Sequence, residues 1–293
     1  MTYAKLAEEQ SRRRVNGRPV VRAVPGAFRV SAHEDRGYAQ AYGEDFAQVY
    51  NKLWSFFARR WAPRLLNLFS RSDVPASAGT TVLDVCCGTG QLAEELVAHG
   101  YRVIGIDLSE PMLRHARANN AQAVEAGRAT FTVQDASSFR VDRPCAYAVS
   151  LFDALNHLPD ASALRRCFDS VYSALSPRGL FVFDLNTAKG LAHWNGIDIQ
   201  DSEELTIINR GLYALGAERA FTSITGFRRR ADGAYDRFRE VVYETLFESN
   251  TVRALLAEAG FVETYVADPD DLTTPAEDED TLVRAFYVCR KPE

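Results

Sequence analysis

The sequence predicts an α/β fold: a mostly parallel sheet wound with helices, preceded by a helical cap and interrupted late by an antiparallel β insertion. Three observations predict it. Between Thr81 and Asp184, strand-like runs rich in branched apolar residues alternate with helical stretches, which implies right-handed crossovers and parallel pairing. Upstream, Tyr38, Tyr42, Phe46, Tyr50 and Trp54 recur at the spacing of one helix face. After Thr187 the rhythm turns to strand after strand, with Asp232-Gly233 as a hairpin signal.

The 293 residues, 46% of them hydrophobic, suffice for one elaborated α/β domain with a sizeable core. A net charge of −5 argues against a nucleic-acid partner, whose binders carry a basic surplus. Five cysteines, two of them the adjacent Cys86 and Cys87, match neither a disulfide framework nor a zinc site and read as reduced thiols. No apolar run reaches membrane-spanning length and no signal core precedes the fold, so the expectation is a cytoplasmic protein acting on a small molecule away from membranes.

Residues 1–33 are polar and Arg-rich, with Pro19 and Pro25 interrupting. They read as a solvated arm, or as a swapped arm packed on a partner in a homodimer. Residues 34–75 form the helical cap, two helices joined near Asn51, whose aromatic face supplies core and part of a pocket mouth. Ser70 to Thr80 is a loop. Thr81–Val85 is the first strand, Gln91–His99 its helix and Arg102–Ile106 the second strand. Ser109 caps the next helix with Pro111 in its first turn, where a missing N–H costs nothing. Thr130–Val133 and Ala146–Leu151 follow, then a helix capped by Asp160 and running to Ala174. Ser176-Pro177-Arg178-Gly179 turns into the strand Leu180–Asp184. The insertion, 188–248, holds strands at Leu205–Tyr213, Arg219–Arg230 and Tyr235–Phe247. Ser249 or Asn250 caps a helix ending at Gly260. Phe261–Val266 and Leu282–Cys289 close the chain, joined by the acidic, solvated loop Asp268–Asp280.

The chemistry centres on Val82–Leu92, a strand running through Gly88-Thr89-Gly90 into a helix. Glycines there let backbone N–H groups approach a ligand. With Ala93 the turn also satisfies the relaxed G-x-G-x-x-A pattern of dinucleotide sites, and Asp107, at the end of the second strand, suits ribose hydroxyls in either setting. Asp84 lies inside the strand. A carboxylate there is costly unless it meets a cation or donors, such as a ligand's ammonium.

Val82–Leu92 resembles the first motif of class I S-adenosylmethionine-dependent methyltransferases, and Ile104–Ser109 their second. Gln134-Asp135-Ala136 resembles the adenine-contacting turn after strand three, and Ala174–Leu180 the turn into strand five. The resemblance runs from about residue 38 to the end. It implies a Rossmann-like sheet of seven strands with the last antiparallel, and S-adenosyl-L-methionine as cofactor. By position it implies that Gly88 and Gly90 admit the methionine part, and that Asp84 reaches its ammonium through backbone and water. Asp107 would hold the ribose, with Cys86, Leu108 and Trp61 nearby. Asp135 would accept from the adenine amino group and Ala136 donate its N–H. Met112 would pack on the adenine face or in the core, and Leu151 would lie beside the sulfonium.

Phe152–Leu158 lacks the Asn/Asp-Pro-Pro-Tyr pattern of enzymes that methylate exocyclic amines of bases or glutamine. It resembles small bacterial methyltransferases, including those that N-methylate amino sugars. In that group a histidine and a tyrosine near the acceptor map onto His157 and Tyr50, and the antiparallel insertion forms a lid. Tyr42, Trp54, Asn156 and Arg237 are the expected substrate contacts. An imidazole suits the removal of an amine proton. No metal is expected, since a metal-dependent O-methyltransferase would need Asp153, Asp184 and Asn186 to converge. The alternatives are O- or C-methylation of a specialised metabolite, a non-catalytic cofactor-binding regulator, or an NAD-dependent reductase. The last lacks its Tyr-x-x-x-Lys pair.

Overall fold

The structure, a computed structural model, describes residues 42–54, 56–74 and 79–293; the arm expected at 1–33 and the first aromatic, Tyr38, lie outside them. Helix α1 (Glu44–Leu53) buries Phe46, Ala47 and Val49, and α2 (Phe56–Arg71) buries Phe57, Trp61, Leu65 and Leu68. The break between them falls after Leu53, where the Trp54 N–H makes the last helical bond to the Tyr50 carbonyl. It does not fall at Asn51. That side chain bonds outward, accepting from Gln91 and Asn119 at 2.8 Å each, and leaves its own backbone helical.

Then come β1 (Thr81–Val85), α3 (Gln91–Ala98), β2 (Arg102–Asp107), α4 (Glu110–Asn119), α5 (Ala121–Glu125), β3 (Ala129–Val133), β4 (Cys145–Ser150), α6 (Ala161–Ala174), β5 (Leu175–Asn186) and α7 (Ala188–Ala192). The Ser109 hydroxyl accepts from the Met112 N–H, and the Asp160 carboxylate from that of Ala163, so both expected caps form. The Ser176–Gly179 run is a bulge inside β5, with Arg178 at φ 66°, because Cys145 and Tyr147 of β4 pair with Leu175 and Leu180 across it.

The remaining elements are β6 (Gly196–Asp201), β7 (Leu205–Leu212), β8 (Arg219–Arg229), β9 (Tyr235–Thr245), α8 (Ser249–Ala259), β10 (Val262–Asp268), β11 (Asp271–Pro275) and β12 (Arg284–Arg290). The main sheet has eight strands, not seven, in the order β11-β10-β12-β5-β4-β1-β2-β3. Strands β1 to β5 are parallel, and β12 lies antiparallel between β5 and β10. The added edge strand β11 comes from the acidic loop. Leu272 drives it, being 1% exposed within the core below α2. The lid is a separate sheet in the order β6-β7-β8-β9. Its edge strand β6 was illegible in the sequence because every one of its residues is exposed, so no alternation marks it. Helix α8 starts at Ser249 without a side-chain cap from Glu248 and ends at Gly260, whose φ of 99° only glycine adopts readily.

Two hydrophobic clusters fill the two faces of the main sheet. A third joins Phe46, Ala47 and Val49 of α1 to Met112 and to Ile207, Ile224, Phe238 and Val242 of the lid. That cluster seats the lid and α1 over the ends of β1, β2 and β4. Among the described residues, no helix is long and apolar enough to cross a membrane.

Candidate active site

Strand β1 delivers Asp84 into the interior, 2% exposed, with its Oδ2 unpartnered among the described residues. Burial, aided by the charge of Asp107, pushes its carboxyl up to about 8. Asp84 lies on the wall of a cavity shared with Tyr50, Trp54, Cys86, Leu151 and Phe152. The turn after β1 winds left-handed at Cys86, Gly88 and Gly90, with φ of 60°, 54° and 78°. A Cβ on Gly88 would meet the Tyr50 ring at 3.6 Å, an ordinary contact. One on Gly90 would stand 2.9 Å from Ala116 Cβ and Asn120 Nδ2. The packing of α4 on the turn, together with the left-handed backbone, therefore requires a glycine at position 90.

Asp107 ends β2 half-buried. Its Oδ2 accepts the Gly88 N–H and its Oδ1 the Ser109 N–H, both at 2.9 Å, while burial raises its carboxyl above the usual range. Leu108 lies beside it, half-buried. Asp135 follows β3 and folds into a turn, accepting the Ser137 N–H at 2.7 Å, with Ala136 buried behind it. Helix α1 is tied over this end of the sheet. The Ser109 hydroxyl donates to the Tyr42 carbonyl at 2.6 Å, and Gln91 and Asn119 donate to Asn51.

Just past β4, Phe152 and Asp153 take consecutive left-handed conformations, φ 67° and 51°, uncommon for residues with a Cβ. The Asp184 carboxylate holds them there by accepting both N–H groups, at 2.7 and 2.9 Å. Phe152 in turn stacks on Phe57, centroids 4.3 Å apart. Arg284 of β12 pairs with Asp153 at 2.7 Å and with Asp184. The Asn186 amide bridges Asp153 at 3.0 Å and Glu244 of the lid at 2.8 Å. Asp153 and Asp184 thus converge on the guanidinium of Arg284, with Asn186 bonded to Asp153 beside them. Burial opposes ionisation at Asp153, yet Arg284 holds its carboxyl below the usual range; burial, and then the neighbouring Asp153, push Glu244 far above it. One proton therefore resides on Glu244 beside an ionised Asp153.

His157 sits next to this cluster. Its Nδ1 is 2.8 Å from the Tyr243 carbonyl, so the ring proton lies there, and the Tyr42 hydroxyl donates to Nε2 at 3.0 Å. Burial lowers its pKa, with Asp153 working against that, which favours the neutral ring.

Several expected site residues lie elsewhere. Arg237 is exposed on the outer face of the lid, because strand alternation turns the neighbouring Phe238 inward instead. Trp61 is 6% exposed and packs on Phe286 at 4.0 Å, part of the core and not of the cavity wall. Met112 is 1% exposed in the cluster under the lid. Asn156 is fully buried and structurally committed, donating to the Thr245 carbonyl at 2.9 Å and accepting the Asn186 N–H at 2.9 Å. Sequence reasoning missed Arg284 and Glu244. The available signal was a charged residue at the head of an apolar strand, Arg284-Ala285-Phe286-Tyr287-Val288, which must find a counter-charge.

A glycine turn after β1, an acid ending β2 and an aromatic cap over both define a site for a nucleoside-bearing small cofactor in a class I methyltransferase fold. The profile described as "Methyltransferase domain" matches residues 82–179. A methyltransferase relative from Geobacillus sp. (strain WCH70) is 31% identical over 85% of this chain and 99% of its own. The chain belongs to a methyltransferase family. Among solved structures, an S-adenosylmethionine-dependent methyltransferase from Clostridium acetobutylicum superposes with a TM-score of 0.71 at 21% identity, covering 85% of this chain and 98% of that one. The sugar N-methyltransferase KedS8 from Streptoalloteichus does so with 0.63 at 20%, covering 92% and 100%. Two curated enzymes match over about half of this chain. The dTDP-3-amino-3,4,6-trideoxy-alpha-D-glucopyranose N,N-dimethyltransferase of Streptomyces venezuelae is 29% identical over 49% of this chain and 58% of its own. A ubiquinone biosynthesis O-methyltransferase of Xanthomonas euvesicatoria is 30% identical over 51% and 62%.

The residues present fit S-adenosylmethionine, the cofactor that the motif resemblance implies. The orphaned, buried Asp84 oxygen meets the need of an ammonium, and the Gly88 turn leaves its backbone open beside Asp107.

Proposed function

We propose that this enzyme transfers a methyl group to an amine nitrogen of a hydroxylated small molecule of the amino-sugar kind. The observation that carries the reading is charge. Asp84 and Asp107 have no cation paired with them among the described residues, and two further acids, Asp153 and Asp184, share the guanidinium of Arg284. Such a site draws in a cationic acceptor and disfavours an anionic phenolate. The sugar N-methyltransferase neighbour and the N,N-dimethyltransferase relative lend support, while the O-methyltransferase relative makes a hydroxyl acceptor the second reading.

When bound, S-adenosylmethionine supplies a methyl already activated on a sulfonium, so the chain's task is positioning, exclusion of water and removal of one proton. Asp84 pairs with the cofactor's ammonium, and Asp107 accepts from its ribose hydroxyls. Asp135 and Ala136 serve the adenine edge. Tyr50, Trp54, Leu151 and Phe152 wall the reacting end against water. An acceptor arriving as ammonium must shed a proton before its lone pair can attack. His157 cannot take it directly, since both ring nitrogens are engaged, but Tyr42 can relay it. The Tyr42 oxygen takes the acceptor's proton while its own hydroxyl proton passes to His157 Nε2, and the nearby Asp153 steadies the imidazolium formed.

The test is S-adenosylhomocysteine release with a panel of amino sugars set against a panel of catechols and phenols. Turnover on the amines with N-methylated product supports the reading. Turnover confined to the hydroxyl acceptors overturns it.

A further inference from the structure

Three consecutive residues at the end of β9 grip the segment that carries His157. The His157 Nδ1–H donates to the Tyr243 carbonyl at 2.8 Å. The Thr245 carbonyl accepts from the Asn156 amide at 2.9 Å, and the Thr245 hydroxyl donates to the Leu158 carbonyl at 2.7 Å. Between them stands Glu244, 0% exposed, whose carboxyl is hydrogen-bonded to that of Asp153. Its Oε2 also accepts from the Asn186 amide at 2.8 Å, and the same amide reaches Asp153 at 3.0 Å, so one NH2 group spans both acids.

A buried acid is a costly choice at that position, since an apolar side chain would pack the strand with no charge to satisfy. Two carboxyl groups bond to each other only when one of them carries a proton. Arg284 pairs with Asp153, so Asp153 is the ionised member and the proton sits on Glu244. The charged and titratable groups gathered there are Asp153 and His157 on the segment after β4, Asp184 on β5, Arg284 on β12 and the Tyr42 phenol ahead of α1. With Glu244 neutral, Asp153 and Asp184 against one guanidinium leave a single negative charge, and the Asp153 carboxylate acts on His157. That charge matches the one positive charge the imidazole gains when it takes the proton from Tyr42.

We propose that Glu244 is a positioning residue for the proton transfer: as the neutral acid it donates to Asp153, holds that carboxylate between Arg284 and the His157 segment, and so keeps one negative charge in place for the imidazolium. Glu244 keeps its own proton throughout, and its effect reaches the acceptor only through Asp153 and His157. This role rests on the amine reading and its Tyr42–His157 relay, and deepens them by naming the group that sets the charge beside the relay.

The experiment compares wild type with Glu244→Gln and Glu244→Leu in the full chain. Glutamine donates and accepts as the neutral acid does, whereas leucine does neither. Turnover is read on the best amino-sugar acceptor of the panel above, and the His157 imidazole is titrated by NMR. The Leu variant should lose about tenfold in kcat at unchanged cofactor affinity, with His157 titrating lower than in wild type, because Asp153 loses a donor that holds it in place. The Gln variant should rescue both, with kcat within about twofold of wild type. Its melting temperature should exceed that of wild type by a margin that widens from about pH 5 to 8. The sign follows from burial, which raises the Glu244 carboxyl above its unfolded value of about 4.3, so that wild type loses stability as pH rises past that value and the Gln variant does not. A Gln variant as slow as the Leu variant shows that Glu244 works as an anion and overturns the role. A Leu variant with wild-type kcat and an unmoved His157 titration does the same, and both outcomes spare the amine reading. Should the Leu variant fail to fold, a Gln margin that stays constant with pH overturns the role by itself. A wild-type enzyme inactive on every amino sugar of the panel overturns the amine reading and this role with it.

Discussion

Cofactor affinity is expected to rise with pH, and one residue is expected to be responsible. In the cofactor-free protein the Asp84 carboxyl is pushed up to about 8 by burial and then by the charge of Asp107. The ammonium of S-adenosylmethionine needs the carboxylate, so binding at lower pH must expel a proton. Below the titration point the apparent affinity then improves by about tenfold per pH unit, or roughly 30-fold between about pH 5.5 and 7. Calorimetry in two buffers of different ionisation enthalpy counts the protons released. About one is expected from wild type in that window, and none from Asp84→Asn, which should bind more weakly with a flat profile. A wild-type affinity independent of pH, or a slope that survives in the Asn variant, would refute the assignment of the ammonium to Asp84. The same group governs stability with a definite sign. Its folded pKa lies above the unfolded value of about 3.9, so the native state holds the proton longer. Stability of the free protein therefore falls as pH rises from about 4 towards 8, and Asp84→Asn should flatten that fall in chemical denaturation.

Tyr42→Phe and His157→Ala should each lower kcat by about a hundredfold with cofactor affinity unchanged, because both break the same relay; a Phe variant of full activity sinks it. Arg284→Met removes the cation from two buried carboxylates and should cost about 3–5 kcal/mol in chemical denaturation, and a loss below about 1 kcal/mol contradicts the pairing. Gly90→Ala, with φ 78° and a Cβ 2.9 Å from Ala116, should lose about 1–3 kcal/mol by thermal melting. Equal stability to wild type would show that α4 yields.

By itself the sequence determined whatever short-range physics encodes. Alternating branched residues marked β1 to β5, Ser109 and Asp160 announced their helices, and the glycine turn with an expensive acid at Asp84 pointed to the proposed cofactor site. Those signals are complete within a few neighbouring residues, so no long-range partner was needed to see them. Tertiary structure decided the rest. The wholly exposed β6 exists only by pairing with β7, and β11 exists because Leu272 finds the core below α2. Both Trp61 and Met112 have the composition of ligand platforms but were claimed by packing, while Arg237 was turned to solvent by a parity the sequence left open. The acid cluster is the clearest case. Arg284 meets Asp184 across 100 residues and Glu244 meets Asn186 across 58. A buried charge announces that it needs a partner, but only the closed sheet and the lid decide which one it receives.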